Sequence, residues 1–123
     1  MGTIFPDPAA AGVLAANLAH YPASGRTLAV CGMLGDKDVP GVIGTLRESI
    51  DQWFAATAEG PRAIDAAELA RRAGEAGVYL QPAGTVPEAM QRAAEVARAG
   101  DRIVVFGSFH VVGPALATLS VPL

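Results

Sequence analysis

The sequence predicts an α/β protein with a doubly wound, mainly parallel sheet flanked by helices on both faces. Two runs, residues 27–33 and 103–106, are apolar without polar alternation, as expected for strands buried on both faces. Strand-like runs also alternate with helix-like segments along most of the chain. Repeated strand–helix units favour a parallel sheet with right-handed crossovers, because each helix must return over a face of the sheet.

The composition indicates one compact domain. The 123 residues are 51% hydrophobic and 17% charged, which argues against disorder, and the formal net charge is −3. No run of Lys or Arg occurs, so we expect neither nucleic acid nor a membrane surface as a partner. Since Cys31 is the single cysteine and neither a signal peptide nor a membrane span is seen, we expect a cytoplasmic location.

The amino-terminal half is predicted to contain two helices and two strands. A helix is expected over residues 8–19 and a strand over residues 27–33. Asp38 has the position of an N-cap for the second helix. The apolar face of that helix is formed by Val39, Ile43, Leu46 and Ile50. A second strand is expected over residues 52–56.

The carboxy-terminal half continues the alternation. Asp65 and Glu68 predict the start of a third helix, which ends near Gly77. Thr85 and Glu88 have the spacing of a capping box and predict a fourth helix. The other predicted elements are a third strand at residues 78–80, a fourth strand at 102–106 and a last helix at 109–119, interrupted at 113–114.

The simplest strand order for such a chain is third, second, first, fourth. The first and fourth strands are then neighbours whose following helices lie on opposite faces, and a ligand crevice forms outside their carboxyl ends. The loops at residues 34–38 and 107–110 leave this switch point. We therefore expect one pocket to be surrounded by Asp36, Lys37, Ser108 and His110.

The residue types at this predicted pocket suit a small carboxylate or phosphate. Lys37 offers a compact positive charge, Ser108 a hydroxyl at a helix start, and His110 a donor or a base. Free backbone N–H groups at a helix start also favour anions. The alternative is that Lys37 is a solvated turn residue, Asp38 a helix cap and His110 a first-turn helix residue.

Other functional motifs are not seen in the sequence. Residues 32–35 lack the Gly-Lys-Ser/Thr ending of a P-loop, so no site for a nucleoside triphosphate is visible. His20 and His110, with a single cysteine, are too few for a zinc site, and no metal is expected. Arg62 either pairs with Glu59 across their loop or faces the crevice.

Three stretches carry a resemblance to a known family. They are residues 29–38 (Ala-Val-Cys-Gly-Met-Leu-Gly-Asp-Lys-Asp), 59–62 (Glu-Gly-Pro-Arg) and 105–110 (Val-Phe-Gly-Ser-Phe-His), in this order and at these distances. Together they resemble the carboxy-terminal domain of bacterial folylpolyglutamate synthase/dihydrofolate synthase, which belongs with the Mur ligases. The resemblance extends over nearly the whole chain from about Pro8 and implies the Rossmann-like fold of a Mur ligase C-terminal domain.

The resemblance implies an ATP-dependent ligase that adds L-glutamate to dihydropteroate and/or folate. In the family, ATP converts the substrate carboxylate to an acyl phosphate, which the amine of glutamate attacks to form an amide. A preceding central domain binds ATP and Mg²⁺, so no cofactor is implied for this chain alone, which we expect to be inactive by itself. The implied partners are that central domain in the same protein, L-glutamate and a folate or pteroate substrate.

The resemblance also implies site residues. Lys37 matches the family lysine that holds a glutamate carboxylate, and Ser108 and His110 match the Gly-Ser-Phe-His corner associated with the same amino acid. The candidate site loops further include Asp36, Asp38, Arg62 and Gly107. No catalytic residue is assigned within this domain, because its implied role is to position a nucleophile.

One stretch departs from the family pattern. The family usually enters this domain through Asp-x-Ala-His-Asn-Pro, whereas residues 3–8 here are Thr-Ile-Phe-Pro-Asp-Pro. Residues 1–7 are therefore interpreted as a hinge remnant or an artificial chain boundary, and residues 8–123 as the glutamate-ligase carboxy-terminal domain. The alternative is a stand-alone α/β carboxylate-binding or regulatory module without catalysis, and a structural or dimerisation domain is a third interpretation.

Overall fold

A computed structural model describes residues 8–33, 35, 37–58, 60–107 and 117–120 of the chain. From residue 8 to residue 107, helices and strands alternate along the chain. In order they are α1 (Pro8–His20), β1 (Thr27–Gly32), α2 (Val39–Leu46), β2 (Gln52–Thr57), α3 (Ala66–Ala73), β3 (Gln81–Thr85), α4 (Val86–Val96), β4 (Arg102–Gly107) and β5 (Ala117–Ser120). Short 3-10 turns extend α2 at Arg47–Ser49 and α3 at Gly74–Ala76.

Within these described residues, five strands form one sheet in the order β3-β2-β1-β4-β5. The first four strands run parallel, and β5 runs antiparallel to β4. In the central strand β1, Val30 is paired with Phe54 of β2 on one side and with Val105 of β4 on the other. The α/β fold class and the predicted order of the first four strands are confirmed.

The third strand begins later than predicted. The sequence predicts it at residues 78–80, but pairing with β2 begins at Gln81. Val78 and Leu80 are buried all the same, so the apolar pattern indicates burial just ahead of the strand. β3 lies at an edge of the described sheet, and an edge strand tolerates Pro82, a residue that has no N–H to donate.

The last predicted helix is wrong at its carboxyl end. Residues 117–119 belong to β5, which pairs with β4 from Ser120 opposite Arg102 to Ala117 opposite Val105. A helix in this place would leave the outer N–H and C=O groups of β4 without partners, and the antiparallel strand supplies them. The rest of the predicted helix, residues 109–116, lies outside the described residues.

Two hydrophobic cores cover the two faces of the sheet in the part of the chain that the structure describes. Helices α1, α2 and α3 pack on one face, and α4 packs on the other. The first core includes Met33, Leu46, Leu69 and Phe106. The second includes Leu28, Phe54, Ala89 and Ala93. Successive residues of each inner strand thus enter opposite cores, which explains why these strands lack polar alternation.

Three helices begin with the side-chain caps that the sequence predicts. Asp38 accepts a hydrogen bond from the N–H three residues later, which starts α2, and Asp65 accepts the N–H of Glu68, which starts α3. Thr85 and Glu88 form the full capping box of α4, in which each side chain accepts the other's backbone N–H. These caps fix where each crossover helix leaves the sheet.

Charged side chains hold the edge where the parallel strands begin, here called the amino edge. Arg26, Asp51 and Asp101 directly precede β1, β2 and β4. The buried carboxylate of Asp101 accepts hydrogen bonds from Arg98 N at 2.8 Å, Arg26 N at 2.7 Å and the Arg26 guanidinium at 2.9 Å. These bonds, above all those from the backbone N–H groups, hold the pKa of Asp101 below its usual range.

Arg102 extends this network to α1. Its guanidinium donates to Thr27 Oγ1 at 3.0 Å and to the backbone carbonyls of Leu18 and Tyr21 at the carboxyl end of α1. A cation is favourable there, because the helix dipole leaves partial negative charge at that end. Burial lowers the pKa of Arg102, but a guanidinium still stays charged at neutral pH.

Cys31 of β1 is fully buried in the core beneath α1 and α2. Burial removes the thiol from water and raises its pKa to about 12, because the charged thiolate is disfavoured there. At neutral pH the thiol is therefore neutral and behaves as a small core residue.

Candidate functional site at the carboxyl edge

The ends of β1 and β4 meet at the opposite edge of the sheet, here called the carboxyl edge. Gly32, the last residue of β1, is paired with Gly107, the last residue of β4. The loops that follow these two strands therefore start side by side, as the strand order predicts. Gly107 has a φ of 147°, a value that residues with a side chain rarely adopt, so this corner requires glycine.

The structure describes part of the predicted site. At the carboxyl edge lie Lys37, Asp38, Arg62 and Gly107. Outside the described residues lie Asp36, Ser108 and His110. Their expected convergence with Lys37 stays a prediction.

The loop between β1 and α2 is fastened to the loop after β2 by two backbone hydrogen bonds. Gly35 N donates to Arg62 O at 2.7 Å, and Ile64 N donates to Met33 O at 3.2 Å. The two loops are so close that a Cβ on Gly35 would lie 3.2 Å from Ile64 Cγ2. The first half of the β1–α2 loop is therefore held in place relative to β2.

Arg72 of α3 holds the same loop from the side. Its Nη1 donates to Gly35 O at 2.8 Å, and its Nε donates to Glu68 Oε2 at 2.8 Å. Glu68 also accepts two hydrogen bonds from Arg71, at 2.7 and 2.9 Å. The hydrogen bonds from Arg71 and Arg72 lower the pKa of Glu68 from 4.5 to about 2, so the carboxylate is ionised at neutral pH.

The second half of the loop ends in the N-cap of α2. Gly41 N donates to Asp38 Oδ1 at 3.0 Å, and Val39 N donates to Lys37 O at 3.0 Å. Lys37 is partly buried, and within the described residues its ammonium has neither a hydrogen bond nor an ion pair. The loop thus presents a cation beside the amino end of α2, where the helix dipole adds positive potential.

Arg62 contributes to this edge through its backbone. Its carbonyl binds Gly35, and its side chain is exposed. Glu59, its predicted partner, lies outside the described residues. The predicted alternatives for the Arg62 side chain, a pair with Glu59 or an orientation toward the crevice, therefore both stay open.

Two polar side chains that support the site were missed by sequence reasoning. One is Arg72, and the other is Thr57, whose Oγ1 accepts a hydrogen bond from Ala66 N at 2.9 Å and joins the end of β2 to the start of α3. Arg72 binds a carbonyl 37 positions away, a contact that leaves no periodic trace in the sequence. The one usable signal was the predicted N-cap Asp65, which sets where Arg72 falls along α3.

Neither a P-loop nor a cluster of metal-ligating side chains is seen among the described residues. The sequence contains no Gly-x-x-x-x-Gly-Lys-Ser/Thr segment, whose backbone N–H groups would surround the phosphates. In the part of the chain that the structure describes, no group of three or more His, Cys, Asp or Glu side chains is placed to hold a metal. The same residues include no helix long and apolar enough to span a membrane.

Comparisons with known proteins agree with the fold. The sequence profile of the family described as Mur ligase, glutamate ligase domain, matches residues 7–109. The dihydrofolate synthase/folylpolyglutamate synthase of Escherichia coli K12 is 35% identical to this chain over 113 residues, which cover 92% of the chain and 26% of that protein. The same-named protein of Haemophilus influenzae is 37% identical over 90 residues, which cover 72% of the chain and 21% of that protein.

Solved structures of similar proteins have the same architecture. The E. coli FolC protein in complex with DHPP and ADP has a TM-score of 0.77 at 36% identity, over 87% of this chain and 25% of that one. A bifunctional folylpolyglutamate synthase/dihydrofolate synthase with Mn, AMPPNP and L-glutamate bound has a TM-score of 0.75 at 36% identity, over 89% of this chain and 26% of that one. The chain thus spans about a quarter of the length of these relatives. It belongs to the family of the Mur ligase glutamate ligase domain.

Proposed function

We propose that this chain is the amino-acid-binding domain of an ATP-dependent ligase that adds L-glutamate to dihydropteroate and/or folate. The observation that carries the proposal is Lys37, a partly buried cation without a described partner, on a loop that is fastened at both ends beside the switch point of the sheet. Family membership supports the reaction class. The relative with L-glutamate bound supports the choice of amino acid.

In this proposal, Lys37 binds a carboxylate of L-glutamate. The ammonium forms a charge-assisted hydrogen bond, which is roughly twice as strong as a neutral one. Ser108 and His110, which follow Gly107 in the sequence, supply a hydroxyl and an imidazole to the same amino acid. Because hydrogen bonds already hold the β1–α2 loop, little conformational entropy is lost there when glutamate binds.

The contribution of this domain to the reaction is one of position. It holds the amine of glutamate beside an activated carboxylate that is formed on another domain, which raises the effective concentration of the nucleophile. ATP and Mg²⁺ bind mainly to a central domain of the same protein, together with the folate or pteroate substrate. The proposed reaction takes place in the cytoplasm.

The test is the KM for L-glutamate, measured in the complete protein of which this chain is one domain. Lys37→Ala is expected to raise this KM by about 10- to 100-fold, with little change in kcat or in the KM for ATP, because a hydrogen bond to a charged group contributes about 1.5–3 kcal/mol. Ser108→Ala is expected to raise the same KM. Arg92→Ala, which removes an exposed cation from α4 on the opposite face of the sheet, should change neither kcat nor the KM for L-glutamate or ATP. An unchanged KM in the Lys37 variant would remove this residue from the site.

A second test concerns the chain by itself. We expect the purified chain to show no ligase activity, and ATP-dependent incorporation of labelled glutamate by it would contradict the proposal. An immunoblot of source-cell extract, with an antibody against this chain, should show a band several times larger than 12.5 kDa. A band of the chain's own size would favour the stand-alone carboxylate-binding module instead.

A further inference from the structure

We propose that Arg72 is a positioning residue for Lys37, which keeps the β1–α2 loop in the shape that the carboxylate site requires. The inference rests on the proposed function of the carboxyl edge. Arg72 lies on α3, and it acts on the loop through Gly35, two residues before Lys37.

The peptide groups of Gly35 are bound on two sides. Its N–H donates to Arg62 O at 2.7 Å, and its C=O accepts from Arg72 Nη1 at 2.8 Å. The first bond fixes the loop to the segment after β2, and the second fixes it to α3. Both polar groups of Gly35 are thus held by two separate elements, which fixes the loop at a point two residues before Lys37.

The chemistry of arginine suits this role. The Arg72 side chain, 28% exposed, donates at the same time from Nε to Glu68 and from Nη1 to Gly35. A planar guanidinium can make two such bonds in fixed directions, whereas a lysine ammonium in the same place has no comparable fork. Glu68, with its pKa lowered to about 2, stays ionised and orients the guanidinium across the neutral pH range.

The neighbouring Arg71 provides a matched control. Arg71 and Arg72 share the carboxylate of Glu68. The Arg71 side chain, however, is 64% exposed, and among the described residues it donates to Glu68 and faces Glu75, not a loop carbonyl. The two arginines therefore differ in the contact with Gly35 and resemble each other in the ion pair.

The first experiment measures amide hydrogen exchange in this chain by NMR. Arg72→Ala is expected to speed exchange at Gly35 N–H about tenfold, because the loop opens more often once its side support is removed. Arg71→Ala should leave that rate within about twofold. Arg72→Lys should give an intermediate rate. Equal exchange rates at Gly35 in the Arg71 and Arg72 variants would overturn the proposal, and the melting temperature of each variant reports whether it is folded.

The second experiment measures the KM for L-glutamate in the complete protein. Arg72→Ala is expected to raise this KM about fivefold while kcat stays within twofold, and Arg71→Ala should change neither. If Lys37→Ala raises the KM and Arg72→Ala does not, the positioning role is wrong while the proposed function stands. If neither variant changes the KM, the proposed glutamate site is wrong and the positioning role falls with it.

Discussion

At the amino edge of the sheet, charged side chains bind one another and the backbone, whereas at the carboxyl edge the backbone of one loop binds the next and leaves a lysine without a described partner. Asp101 accepts hydrogen bonds from two backbone N–H groups and from Arg26. Asp51 accepts the N–H of Thr27 at 2.7 Å. At the other edge, two bonds between main-chain atoms hold the loop that contains Lys37.

The difference shows how one sheet separates stability from binding. A buried carboxylate whose hydrogen bonds are all made inside the protein stabilises the fold and has no capacity left for a ligand. A loop that is held by its own main-chain groups keeps its side chains for other partners. Variants at the amino edge should therefore change stability alone, and variants in the β1–α2 loop at the carboxyl edge should also change binding.

The largest expected effect is that of Asp101→Ala, which breaks the amino edge. The substitution leaves the N–H groups of Arg26 and Arg98 without their acceptor and removes the ion-pair partner of the Arg26 guanidinium. That guanidinium keeps its hydrogen bonds to Gln52 and Val96. We expect the melting temperature, followed by circular dichroism, to fall by roughly 10 °C. Asp101→Asn, which keeps an acceptor oxygen, should give a smaller fall. A raised KM for glutamate without a change in melting temperature would contradict the division between the two edges.

Asp38→Ala should lower stability less than Asp101→Ala does, and it should also raise the KM for L-glutamate. Loss of this N-cap is expected to lower the free energy of unfolding by about 1 kcal/mol, and it also releases the loop end next to Lys37. Thr85→Ala removes the N-cap of α4 on the opposite face and is the control, with a similar loss of stability. Chemical denaturation and the KM for L-glutamate measure the two quantities. An equal rise in the KM for L-glutamate in both variants would contradict a specific role of the Asp38 cap in the site.

Gly12→Ala calibrates these effects at a position inside α1. Among the described residues, a Cβ at Gly12 would meet no atom outside its own helix backbone within 4 Å, so alanine is expected to raise the free energy of unfolding by about 0.5–1 kcal/mol through its higher helix propensity. At the amino edge the same change, Gly25→Ala, would put a Cβ 2.9 Å from Asp101 N and against its carboxylate. Urea unfolding should thus show a higher free energy of unfolding for Gly12→Ala and a lower one for Gly25→Ala. An increase in both variants would contradict the packing described at Gly25.

The smallest expected effect is the pH dependence of the Glu68 ion pairs. Because the folded protein lowers the pKa of Glu68 from 4.5 to about 2, its stabilisation is complete above pH 4.5 and is lost as the pH falls toward 2. The difference in melting temperature between the wild type and Glu68→Gln should therefore be constant near neutral pH and shrink below pH 4.5. Glu75→Gln is the control, since its carboxylate lies 3.9 Å from Arg71. A difference that grows in acid would contradict the assignment.

Local signals in the sequence were sufficient for much of the fold. The N-caps at Asp38, Asp65 and Thr85 predicted where the helices begin, because a cap is a contact between residues close in sequence. Unbroken apolar runs predicted β1 and β4, since a strand buried on both faces has no polar positions. The edge strand β3 was predicted three residues too early, and β5 was predicted as part of a helix, because neither of these short strands contains an unbroken apolar run.

The candidate site was predictable only in part. The position of Lys37 followed from strand order, which places the loops after β1 and β4 at one edge. The support from Arg72 was not predictable, because it depends on a bond between a helix side chain and a distant carbonyl. The closing of the β1–α2 loop onto Arg62 O is likewise a contact between main-chain atoms, which any residue could make.

Burial of the lone thiol gives this protein an internal reporter of its own opening. A labelling reagent needs both access to the Cys31 sulfur and its thiolate form, and the folded core denies both. Modification at neutral pH must therefore wait until β1 separates from the helices above it. The labelling rate, measured by mass spectrometry without any engineered probe, thus measures how often the centre of the sheet comes apart.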